Sequence, residues 1–396
     1  MPQFNGSLNH NEIQSALYNM IISQTVRSRN IAGTYSDIVE KARRDGGLLG
    51  DQRHYIDTDI LSSHPWGADS EASNLLSLDR PPEPKDQAIV LSKFRQIRCT
   101  VDDYLSKRAF STEGAFADFN AVLLSWLRDT KRVYESLMYN SWFGTELTSV
   151  GKQLRSVAIS TMRASASTEE EANRLEAQLI AREMANLVVL MKHPTRFFND
   201  YGFMRSYTKE DITVVFSSKY LNQITYLDLP TIFHKDGLFG DIKQEVLPDF
   251  CFGTRITSSN IASYSASTPT TGKPINSSTG AYTPGSNNAN GCVRSLVEKE
   301  ITVSGVDYHI FPTEELPAGA TIIASTGQFL PGEVYMEESD VICKIVAGEL
   351  PILMSAFEAG TSFFNPRSLT TNHYLTWGFN DLEHFSGMPF ITMKAA

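Results

Sequence analysis

Eight histidines and four cysteines are the side chains in this 396-residue sequence best suited to hold a metal or attack a substrate. Cys99, Cys251, Cys292 and Cys343 form no C-x-x-C pair. Scattered thiols in a chain without an export signal read as reduced core residues, not disulfides or ligands. His373 and His384 stand about eleven residues apart, which is no zinc-ligand spacing. Asp57-x-Asp59 lacks the glycine and terminal glutamate of a calcium loop. Asn276-Ser-Ser278 fits a glycosylation sequon, which matters only in a secreted chain. Thr168-Glu169-Glu170-Glu171 gathers three acids, but in the pattern of a helix cap: the hydroxyl accepts from the third amide, and the acids face the positive helix end. Phosphate-cradling glycine loops, the G-x-S-x-G elbow and H-E-x-x-H are absent from the sequence. The expectation is a non-enzyme with no catalytic, cofactor-binding or metal residues and no cofactor.

Composition points the same way. Hydrophobic residues at 41% and charged residues at 20% fit a globular protein with a substantial core. The net charge of −10 argues against a protein built to grip phosphates. Basic residues are dispersed in pairs such as Arg43-Arg44, Lys107-Arg108 and Lys131-Arg132, with no basic stripe. No apolar run of membrane-spanning length occurs. The first residues, MPQFNGSLNHNEIQ, lack the basic stretch and apolar core of an export signal. A soluble protein folded in the cytoplasm is expected, with no membrane partner.

The elements that would position any site come in a distinctive order. Residues 1–47 read as a helical arm of two amphipathic helices. The first carries Ile13, Leu17, Met20 and Ile21, and the second, 36–44, stops at Gly46-Gly47. Residues 48–110 read as an extended loop with its return strand at 88–104, interrupted by Pro81-Pro82-Glu83-Pro84. A two-stranded ribbon is marginal alone in water and needs a surface to lie on, most naturally a neighbouring subunit. From 111 to 143, Phe116, Phe119, Leu123, Trp126, Leu127, Val133, Tyr134, Leu137 and Met138 trace one helical stripe, a rod of roughly 48 Å that Gly144 should end. A second helix spans 168–191, its buried stripe Leu175, Leu179, Leu187, Val188 and Met191. Residues 212–216 read as a buried strand, 219–227 as a short helix and 244–252 as another strand. The Ser-, Thr-, Asn- and Gly-rich stretch 254–291 has too few apolar groups to offset the entropy of ordering and reads as an exposed insertion or long loop. A hairpin about Ser304-Gly305 follows, with strands at 320–325, 341–346, 374–379 and 390–393.

That order, an α+β one, resembles the Hong Kong 97-type (HK97-like) phage capsid fold. Under the resemblance, 1–47 is the N-terminal arm and 48–110 the E-loop. The peripheral (P) domain with its spine helix takes 111–200. The axial (A) domain takes 201–360 with its polar surface insertion 254–291, and C-terminal strands at 361–396 return to the core. The text from Phe94 to Phe110 (FRQIRCTVDDYLSKRAF) is similar to the return strand of small picovirus-like, φ29-related podophage capsid proteins. So is Phe364-Asn365-Pro366-Arg367-Ser368-Leu369 with Asn372, Tyr374 and Trp377, although Ser368 stands where those proteins carry glycine. The resemblance implies a major capsid protein that self-assembles as pentamers and hexamers into an icosahedral head shell around double-stranded DNA. The partners it implies are the chain itself, with scaffolding, portal and decoration proteins beside it, and genome DNA only non-specifically on the inner face. Some relatives crosslink a lysine to an asparagine, for which Lys85 is the candidate. The alternative is another virion structural protein, such as a decoration, portal-proximal or adhesin-like subunit.

Overall fold

A long helix wedged between two β-sheets organises the chain. The computed structural model describes residues 37–45, 52–63, 78, 80–102, 113–147, 153–221, 242–323 and 326–396. Its helices are α1 (Asp37–Ala42), α2 (Glu113–Thr145), α3 (Ile159–Ser165) and α4 (Glu169–Lys192). The first strands are β1 (Arg43–Asp45), β2 (Gln52–Asp57), β3 (Lys85–Asp102), β4 (Leu154–Val157), β5 (Ile212–Ser217), β6 (Lys243–Leu247) and β7 (Gly253–Arg255). There follow β8 (Ser265–Ala266), β9 (Ile275–Asn276), β10 (Val293–Ser295), β11 (Lys299–Val303), β12 (Val306–Ile310) and β13 (Val334–Glu337). The last are β14 (Val341–Ala347), β15 (Leu353–Asn365), β16 (Thr370–Asn380) and β17 (Phe390–Ala395).

The central sheet runs β4-β17-β14-β5-β6. Every residue of β5 and β14 is buried, so these strands are covered on both faces. On one face Ile212, Val214 and Phe216 meet Leu179, Met184, Leu187 and Met191 of α4. On the other, Trp142 and Phe143 of α2 meet Phe390, with Val215 and Val346 in the same cluster. Two turns earlier on α2, Tyr134 packs on Trp377 and Phe379 of a second sheet, ordered β1-β15-β16-β3-β2. The helix thus fills the space between two sheets, and its polar residues are paired where they are buried: Lys131 with Glu358 at 2.6 Å, and Glu135 with the Ser355 hydroxyl at 2.9 Å.

Several expectations hold at the level of elements. The 33-residue α2 spans about 50 Å. Trp126, Val133 and Leu137 of its predicted stripe are half-buried, while Leu127, Tyr134 and Met138 are buried; the side chains of Phe116, Phe119 and Leu123 lie outside those described. The Thr168 hydroxyl caps α4, accepting from the Glu171 amide at 3.3 Å, while the Glu171 carboxylate reaches one residue further back, to the Ser167 amide at 2.9 Å. In α4 Leu175 is only half-buried, and the neighbouring Glu176 is buried instead, paired with Arg163 at 2.7 Å. The Ser304-Gly305 hairpin turn is present, with φ of 52° and 82° at its two residues.

Others are corrected. Gly144 does not end α2 but lies inside it, because the helix passes so close to the next segment that a Cβ there would stand 1.9 Å from the Cys251 carbonyl oxygen. Of the stretch 36–44 the described residues form the six-residue helix Asp37–Ala42 followed by strand β1, and Ile38, Val39 and Ala42 pack in one cluster with α2 of their own chain. The predicted first helix and most of the loop 64–79 lie outside the described residues, as does 222–227 of the short helix. Expected strand 244–252 is broken by Pro248 into β6 and a 3-10 turn at Asp249–Cys251. Strand β15, whose stretch 355–360 reads Ser-Ala-Phe-Glu-Ala-Gly, is not signalled by the sequence pattern. The stretch 254–291 is mostly irregular and exposed or half-buried, as expected, but it is anchored at a few buried positions. Ile256, Ile275 and Tyr282 join Val293, Ile301, Phe329 and Val334 in a buried cluster. Its polar residues close the turns themselves: Asn276 Oδ1 accepts from the Ser278 and Thr279 amides, both at 2.9 Å. Few apolar groups suffice when the side chains satisfy the backbone.

Gly144→Ala is expected to lower the stability of the subunit by on the order of 3 kcal/mol, because the clash is with main chain that cannot swing away. Denaturant unfolding followed by tryptophan fluorescence measures it; an unchanged midpoint would show that the segment at Cys251 moves freely.

Candidate assembly surface and the junction that positions it

Strand β3 carries the extended arm. Its C-terminal two thirds pair with β16, from Leu91 opposite Asn380 to Asp102 opposite Thr370. Its first six residues, Lys85–Val90 in numbering 85–90, pair only with β2. The arm is therefore an outgrowth of the body sheet, not a free two-stranded ribbon. Burial alternates along it: Ile89, Leu91 and Val101 face in, while Val90 and Phe94 face out. That alternation explains a text in which apolar and basic residues interleave.

Two projecting elements expose large apolar side chains. On the arm these are Ile56, Ile60 and Leu61, with Ile56 68% exposed. At the tip of the β15–β16 hairpin they are Phe363, Phe364 and Leu369, with Phe363 62% exposed. The hairpin turn is closed by Asn365 Oδ1, which accepts from the Arg367 amide at 3.1 Å. Its left-handed residue is Leu369, φ 53°, so Ser368 does not occupy a position that demands glycine.

The root of the arm is held by polar contacts. Arg205 pairs with Asp57 at 2.8 Å, and Arg196 with Asp59 at 2.6 Å. The Met204 amide, more than Arg196, holds the Asp59 carboxyl below the usual carboxylate range. Asp57-x-Asp59 is thus an anchor, not a cation loop. Gln87 reads the backbone of the loop after β16, donating to the His384 carbonyl and accepting from the Ser386 amide, both at 3.0 Å. Tyr55 packs on Phe385 with centroids 4.7 Å apart.

That same loop carries His384, whose ring lies between two carboxylates: Nδ1 is 3.1 Å from Glu146 and Nε2 is 2.8 Å from Asp200. Burial opposes the charge, but the hydrogen bonds to Asp200 and Glu146 outweigh it and raise the imidazole pKa to about 9. Glu146 lies just past the end of α2, and its main-chain carbonyl accepts from the ammonium of Lys344, a fully buried residue of β14. Burial lowers the Lys344 pKa to about 7, against the pull of Glu146.

His373 is far from this junction in role: it lies on β16 opposite Cys99 and Ser362. Cys99 is half-buried, and Cys251, Cys292 and Cys343 are buried; all four are free, and burial pushes the last three thiols up to about 12. Lys85 opens β3 opposite Asp57. Among the described residues no group of three or more His, Cys, Asp or Glu is placed to hold a metal ion, and no helix is long and apolar enough to cross a membrane. Sequence reasoning missed Glu146, Gln87 and Lys344. Only Lys344 left a signal, as a lone charge inside the apolar run Val341-Ile-Cys-Lys-Ile-Val-Ala347.

A long spine helix, a hairpin arm growing from the body sheet, and a mixed domain with its own cluster define a Hong Kong 97-type phage capsid fold. Among solved structures the chain is similar to one titled as the capsid structure of Staphylococcus phage Andhra, with TM-score 0.56 and 11% identity over 95% of this chain and 87% of that one. It is also similar to a chain from the structure of the head fiber and inner core protein gp22 of native bacteriophage P68, with TM-score 0.53 and 10% identity over 94% and 88%. Among curated proteins nothing matches. Residues 5–385 match the family described as Phi29-like phage major capsid protein, and the chain belongs to that family. It is a structural protein of the virion that forms the capsid shell.

The junction makes a pH prediction. His384, with its pKa raised, contributes stability that is full below about 6.5 and lost as pH rises through about 9. Lys344, with its pKa lowered, binds its proton more weakly folded than unfolded, so its effect on stability improves from about 7 toward 10.5. Between pH 7 and 9 the two slopes oppose. Denaturant titrations of the unassembled subunit should be nearly flat in that window, falling with pH in Lys344→Met and rising in His384→Gln. Parallel curves for all three would contradict the assignment.

Proposed function

We propose that the shell is built as pentamers and hexamers held by the two projecting elements, the arm and the β15–β16 hairpin tip. The observation that carries this is the exposure of Phe363, Phe364 and Leu369 at the tip of the β15–β16 hairpin, and of Ile56, Ile60 and Leu61 on the arm. Among the described residues these apolar groups join no buried cluster of their own chain, and in a lattice each becomes buried against the next copy. Individually weak contacts suffice, because every subunit makes several at once. Heterologous contacts of this kind close into a shell only when their angle is right.

The units we assign are the arm to 47, the extended loop to 110, the peripheral domain to 200, the axial domain to 360 and the closing strands beyond. The stretch 254–291 belongs to the axial domain as its folded, polar-surfaced part. The protein folds in the host cytoplasm, meets scaffolding, portal and decoration proteins as the head forms, and touches genome DNA only non-specifically on the inner face. The net charge of −10 supports that last point, since a wall that held phosphates tightly would hinder packing and release.

Phe363→Ser combined with Phe364→Ser should leave a folded subunit with unchanged unfolding midpoint that forms no closed particles in electron micrographs. Normal particle yield from the double variant would remove the hairpin tip from the assembly surface.

A further inference from the structure

The buried end of α2 and the root of the arm are joined through one residue. Both ring nitrogens of His384 face carboxylates, Glu146 just past the end of α2 and Asp200 after α4. Two acceptors need two donors, and only the doubly protonated ring supplies both. The same residue's carbonyl and the Ser386 amide hold Gln87 of β3. The Ser386 carbonyl accepts from the Asp200 amide at 2.7 Å, so the loop is pinned from both sides. At Gly387 a Cβ would stand 2.1 Å from the Asp57 carboxylate, so the loop lies in close contact with the root of the arm.

We infer that His384 is a positioning residue for assembly: as an imidazolium it fixes the loop that sets the angle at which the arm leaves the body, and as a neutral ring it releases that loop. This rests on the arm being an assembly surface. The charged groups around the ring are known from each packed element. Glu146 also faces Arg255 of β7 at 3.5 Å and carries Lys344 of β14 on its carbonyl. Asp200 accepts from Gln153 at 3.0 Å. The arm brings Asp57, paired with Arg205, and Asp86, paired with His54. The loop itself adds Glu383 and Asp381, the latter paired with Lys93. Among these described contacts His384 is the group that bridges the two carboxylates, so neither Lys344 nor Arg255 substitutes for its charge.

Hydrogen exchange of the segment 85–91 in the full-length unassembled chain, corrected for intrinsic rates, tests this between pH 6.5 and 10. In the natural chain, protection should drop about tenfold across a step centred near 9. His384→Gln should sit at the unprotected level throughout, with no step. His384→Arg, which keeps a permanent charge and two donors, should stay protected at pH 10. Gln87→Ala leaves the ring site intact and should lose protection at every pH, which covers the case in which His384→Gln fails to fold. A step that persists in His384→Arg, or equal protection in all chains, would overturn the inference. So would His384→Gln particles at natural yield despite a loosened arm, whereas failure of the natural chain to assemble would count against the assembly reading instead.

Discussion

The carbonyl of Glu146, just past the last turn of α2, meets the ammonium of Lys344. Helix ends leave carbonyls without partners and carry a partial negative charge, so an end buried inside a protein needs a donor and prefers a cation. Lys344 supplies it from the middle of the central sheet, and His384 and Arg255 approach the Glu146 carboxylate from the loop after β16 and from β7. Burying Lys344 is costly in isolation, and the hydrogen bond to the Glu146 carbonyl offsets part of that cost. Through His384 the root of the arm, and through Arg255 the strand β7, are tied to that buried end.

How much of this was readable depended on the range of the interaction. Periodicity along the chain revealed α2, α4, β5, β14 and the hairpin at Ser304-Gly305, since each is specified by neighbours a few residues away. The arm was legible as extended but not as a continuation of the body, because pairing of β3 with β16 joins residues about 270 apart, as in Thr100 with Asn372. Strand β15 escaped because its middle, Ser355-Ala-Phe-Glu-Ala-Gly360, lacks a regular apolar alternation and is held by its pairing with β16. Gly144 was read as a stop signal when its role is close packing, which only the third dimension shows. The junction itself joins Glu146, His384, Asp200 and Gln87 from four distant stretches, and no spacing rule could assemble them.

The stretch 254–291 shows the same limit in another form. Counting apolar residues suggested a chain unable to order itself, yet Ile256, Ile275 and Tyr282 are placed where later strands can cover them. Composition measures how much can be buried, not where the partner lies. The family and the fold agree with the wider reading of a structural shell protein.

Imaging of the purified full-length chain by electron microscopy tests the central claim most directly. Closed shells of virus-like size whose repeating unit places the arm and the hairpin tip against neighbouring copies are the predicted result. A chain that stays monomeric at high concentration, or one that assembles with both elements facing solvent, would contradict the account.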